Sequence, residues 1–132
     1  MHGGATHFPF ALLLLSVLFD HAGFWWRNEL RRRGLRAVGF YSLLLAAAAA
    51  PFAVLSGLAL SKGTLLGSGA LRMHHFFIWP AFGLLIGLAV WRLAGREGAS
   101  PRASGCYLTL ATLAAAAMMG AGYWGGEMII GK

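Results

Sequence analysis

Charge is scarce in this chain. Only 11% of its 132 residues are charged and 58% are hydrophobic, against roughly 25% charged in an ordinary soluble domain, which excludes an independent soluble fold. Cysteine is scarcer still. Cys106 stands alone, so the chain forms no internal disulfide and has no paired-thiol chemistry, and this residue is expected to pack as a small side chain. The apolar stretches hold few hydroxyl side chains, Ser16, Ser42, Ser56, Thr109 and Thr112. That is too sparse for the continuous polar path of a pump or ion transporter. Met1 to Thr6 lacks any Lys or Arg, so the basic n-region of a cleaved signal peptide is missing and the first apolar stretch reads as a retained span.

What the chain does have is four apolar stretches, about residues 8–26, 37–60, 74–93 and 107–124. A helix needs about 20 apolar residues to cross a hydrocarbon core of roughly 30 Å. The expected fold is therefore all-α, one integral membrane domain over residues 1–132, a four-helix antiparallel bundle. The formal charge of +7 could suggest nucleic acid, but the arginines flank apolar segments and build no soluble basic face, so no nucleic-acid partner is expected. They report topology instead. The first connection holds Arg27, Arg31, Arg32, Arg33 and Arg36, and the third Arg92, Arg96 and Arg102, whereas the other side has only Lys62, Arg72 and Lys132. The positive-inside rule then puts the arginine-rich connections in the cytoplasm and both termini outside.

Within the spans, Pro51 is expected to kink the second helix, and Gly83 and Gly87 form a G-x-x-x-G spacing that allows close backbone approach. The tail Gly125 to Lys132 is expected to fold back over the outer surface.

Histidines inside the apolar stretches occur at three places, His7, His21 and the pair His74-His75. An imidazole buried in a membrane needs a partner, so each is a candidate site. The first and third helices run the same way, which brings His7 and the pair to similar depth. Two imidazoles on separate helices can clamp the iron of one haem b. Adjacent helical residues diverge by about 100°, so only one of the pair can face that iron. If the face bearing Gly83 and Gly87 packs into the bundle, His75 is the ligand, with His74 as the alternative and otherwise left to a partner subunit, a quinone or solvent. Arg72 is a candidate partner for the haem propionates. His21 returns to within about 40° of the His7 face, the two-histidine spacing that holds stacked haems in respiratory cytochromes b. A second bis-histidine haem there would need a histidine near Leu88 or Ala89, and none is present; a five-coordinate haem or a ligand from a partner is the alternative, so His21 is the lesser candidate. Met118 and Met119 rank below the imidazoles as ligands. Asp20 needs an arginine, with Arg27 or Arg102 as candidates.

The opening Thr6-His7-Phe8-Pro9-Phe10-Ala11-Leu12-Leu13-Leu14 with Asp20, the pair His74-His75, and the closing Tyr123-Trp124-Gly125-Gly126-Glu127-Met128 resemble the bacterial four-span membrane family catalogued as domain of unknown function 2231. The resemblance covers nearly the whole chain. It implies a multi-pass protein of the bacterial inner membrane, found among respiratory or redox genes and often associated with c-type cytochrome domains, with His7 and one of His74 and His75 at the family's histidine positions. It brings no established reaction.

The expected function is a haem b subunit relaying electrons between a periplasmic redox partner and the quinone pool within a larger complex. Its partners would be other membrane and periplasmic redox subunits, a c-type cytochrome among them, with the bilayer around it and quinone bound here or next door. One rival is a structural anchor or assembly subunit whose histidines only form hydrogen bonds. Another is a quinone-reactive or proton-conducting enzyme without haem, working through His74 or Glu127.

Overall fold

The computed structural model describes residues 2–96 and 100–130, and places nearly all of them in four helices: α1 His2–Trp25, α2 Glu29–Leu60, α3 Gly69–Leu93 and α4 Pro101–Ile130. There is no strand among the described residues. Each helix is long and apolar enough to cross a membrane.

The helices outrun the apolar stretches because their ends are capped by polar groups. Asn28 Oδ1 accepts from the Arg31 amide at 3.1 Å, and Glu29 occupies the first turn of α2, where a carboxylate complements the helix dipole. Glu29 also pairs with Arg32 at 2.7 Å and Arg33 at 2.8 Å. The run expected as a connection up to residue 36 is therefore two turns of helix. At α4, Ser100 Oγ accepts from the Ala103 amide at 3.1 Å ahead of Pro101, a position where proline loses no helical bond. At its other end α4 continues to Ile130, so the tail, through that residue, extends the helix and does not fold back. Gly63 (φ 77°) and Gly95 (φ 65°) take the left-handed backbone that closes α2 and α3.

Helices α1 and α2 form one close hairpin and α3 and α4 another. The hairpins meet more sparsely, through α1 with α4 and α2 with α3, which leaves α1 and α3 on a diagonal. Leu13, Leu43 and Leu85 are fully buried at mid-depth. Toward the end where α1 begins, the histidine end, the buried positions turn small, with Ala50, Ala53 and Ala121. Toward the opposite, arginine end they turn polar, with Ser16, Asp20, Arg92 and Tyr107. Gly83 and Gly87 are exposed, and an added Cβ at either would meet nothing. The close approaches lie elsewhere: a Cβ at Gly39 would collide with the Asp20 carboxylate, and one at Gly120 would lie 2.9 Å from the Phe77 ring. Cys106 is exposed rather than packed.

Candidate functional site

At the arginine end one buried cluster draws on all four helices. Asp20 of α1 forms an ion pair with Arg92 of α3, and both residues are only 5% exposed. Tyr107 of α4 donates to Asp20 Oδ2 at 3.1 Å, and Arg92 Nη1 lies 3.1 Å from the same phenol oxygen. Arg92 Nη2 donates to the Arg36 carbonyl of α2 at 2.6 Å. Ser16 Oγ donates to the Gly39 carbonyl at 2.8 Å, which fastens α1 to α2 one turn from Asp20. The guanidinium of Arg92 also stacks over the rings of Phe40 and Tyr107, 5.6 and 5.4 Å from their centroids. One oxygen, Asp20 Oδ1, has no hydrogen-bond partner among the described residues.

This arrangement replaces one expectation. The arginine that serves Asp20 is Arg92, neither Arg27 nor Arg102, and Tyr107 joins the pair as a buried residue. The sequence carried a signal for it, because Arg92 falls inside the apolar stretch 74–93 and a lone carboxylate and a lone guanidinium in facing spans have to find each other.

The histidine end is built differently. His75 is 5% exposed and its Nδ1 is buried with no hydrogen-bond partner. Its ring lies 6.0 Å from that of Trp79, whose indole donates to the Leu65 carbonyl at 3.0 Å and ties the α2–α3 loop to α3. His74 points to α4, with Nδ1 2.7 Å from the Ala121 carbonyl, so it joins α3 to α4. His21 Nε2 lies 2.9 Å from Thr112 Oγ1 and joins α1 to α4. Arg72 is exposed in the first turn of α3.

His7 is exposed. The buried stripe of α1 runs Pro9, Leu13, Ser16, Asp20, Gly23, and His7 lies about 200° of helical rotation from Pro9. Its ring therefore starts from the side of α1 turned away from the bundle. Among the described residues no three His, Cys, Asp or Glu side chains gather as a metal site. Of the described histidines only His75 is both buried and left with a ring nitrogen that no hydrogen bond uses.

A family model described as a predicted membrane protein, DUF2231, matches residues 1–131. The chain belongs to the DUF2231 family. Four long apolar helices agree with that description, and this DUF2231 protein is a multi-pass membrane protein. No curated protein and no solved structure matches the chain. What the DUF2231 bundle brings together is thus a polar cluster drawn from four helices at one end, with Asp20 Oδ1 left over, and, at the other, one interior imidazole with an unused nitrogen.

Proposed function

We propose that this DUF2231 protein is a haem b-binding subunit of a bacterial inner-membrane complex that relays electrons between a periplasmic redox partner and the quinone pool. The observation that carries this reading is His75. An imidazole nitrogen enclosed in an apolar bundle without a partner costs about 1–3 kcal/mol, and a ligand that uses the ring removes that cost. In this reading the arginine end faces the cytoplasm, following the charge asymmetry of the connections. His75 then lies near the outer face, where a c-type cytochrome could exchange electrons with it. Haem would supply the redox chemistry, and this chain would supply an axial imidazole, an apolar surround and orientation. Arg72, exposed in the turn before His75, is the cation nearest in sequence for a propionate.

The test is haem content per chain and spin state in the purified protein or its intact complex. A b-type reduced-minus-oxidised spectrum that disappears in His75→Ala is the expected result. If His7 turns in to supply the second imidazole, the iron is low-spin and His7→Ala makes it high-spin. If His75 ligates alone, it is high-spin from the start. Absence of b-type absorption in the intact complex would overturn the assignment.

A second reading, a structural anchor without haem, is favoured by the use already made of two histidines. His74 and His21 are engaged with Ala121 and Thr112, and Asp20 with Arg92 holds the helices together irrespective of any cofactor.

A further inference from the structure

A groove opens on α2 at the arginine end. Arg32, Arg33 and Arg36 form its rim, Phe40 and Tyr41 its wall one turn deeper, and Arg92 part of its floor. The charge on Arg92 is balanced within the bundle by Asp20. Among the described residues of the lining, Glu29 is the carboxylate at the rim; it is shared by Arg32 and Arg33 and leaves them 43% and 78% exposed. The rim is therefore positive and reachable from water. The wall is different. Tyr41 is 64% exposed on a helix long and apolar enough to span a bilayer, and Leu45 and Phe52 continue the exposed apolar face along the same helix. Guanidiniums at the mouth of a span, aromatic rings directly beneath and an apolar track beyond them match an amphiphile with an anionic head and acyl chains.

We propose that this groove binds an anionic phospholipid, its phosphate against Arg32, Arg33 and Arg36 and an acyl chain along Phe40, Tyr41 and the exposed face of α2. Arginine suits the role because its planar fork can hold two phosphate oxygens at once. Arg36 is anchored for it: its Cγ lies where a Cβ on Gly23 would come within 2.8 Å, so the stem runs against α1 before the head reaches the rim.

The experiment is native mass spectrometry of the full chain released from nanodiscs of mixed phosphatidylglycerol and phosphatidylcholine. The wild type should retain phosphatidylglycerol in preference, and Arg32→Gln/Arg33→Gln/Arg36→Gln should reduce that preference about tenfold, with Arg33→Gln alone accounting for up to about fivefold. The single variant keeps the test decisive should the triple variant fold poorly. Arg31→Gln removes the same charge from a neighbouring hollow lined by Trp26 and Leu35 and should leave the preference intact. Three results would overturn the proposal: no preference in the wild type, an equal loss in Arg31→Gln, which would mean diffuse attraction to basic residues, or displacement of the lipid by millimolar inorganic phosphate, which would mean that the acyl chain contributes nothing.

Discussion

The two ends of the bundle treat polar groups in an apolar medium differently. At the arginine end Asp20, Arg92, Tyr107, Ser16 and two backbone carbonyls bond to one another across all four helices and leave only Asp20 Oδ1 over. At the histidine end the interior residues are mostly alanine, and His75 is enclosed without a partner for Nδ1. A buried network held by many bonds fixes helices in one arrangement. A buried atom without a partner, Asp20 Oδ1 at one end and His75 Nδ1 at the other, is costly to fold around. The arginine end is architecture, and in the proposed reading the histidine end carries the chemistry.

The contrast breaks most sharply at Arg92. Arg92→Ala leaves the Asp20 carboxylate buried and unpaired, and should lower stability by about 3–5 kcal/mol, measured by thermal unfolding in detergent or nanodiscs. Removing both charges in Asp20→Leu/Arg92→Leu should recover much of that loss, since an apolar pair of similar volume can replace a buried ion pair. Next in size is Gly39→Ala, whose methyl group would overlap the Asp20 side chain. The shift needed to relieve it should cost about 1–3 kcal/mol. A smaller effect, about 1 kcal/mol, is expected for His74→Ala, which removes the bond to the Ala121 carbonyl. Thr112→Val, which takes away the partner of His21, should cost about 0.6 kcal/mol, the usual worth of a side-chain bond between membrane helices. Equal losses at the two ends would erase the distinction drawn here.

Much of the architecture was legible in the sequence, because a span must be apolar along its whole length and four such stretches stand out. The helix limits were less so. Arg31 to Arg36 read as a connection by charge alone, whereas the Asn28 cap and the pairs of Glu29 with Arg32 and Arg33 let α2 begin at Glu29. The need of Asp20 for an arginine was readable from its surroundings. The identity of that arginine was not, because which residues of two helices meet depends on their relative rotation and depth, and neither is written in one helix's periodicity. The histidines show the same limit. His75 was turned inward on the ground that Gly83 and Gly87 face the bundle. The structure buries His75 while exposing both glycines, so that ground fails. His7 was placed with the tandem pair by depth, but the stripe from Pro9 to Gly23 shows that depth alone does not aim a side chain.

The division of labour is tested most directly by the reduced-minus-oxidised absorption per folded chain of His75→Ala set beside that of Arg92→Ala. The account predicts that His75→Ala folds and loses the b-type signal, its Nδ1 having no bond in the bundle to give up. Arg92→Ala should keep the signal in whatever fraction remains folded. Full b-type absorption in His75→Ala, or its loss from folded Arg92→Ala, would contradict it.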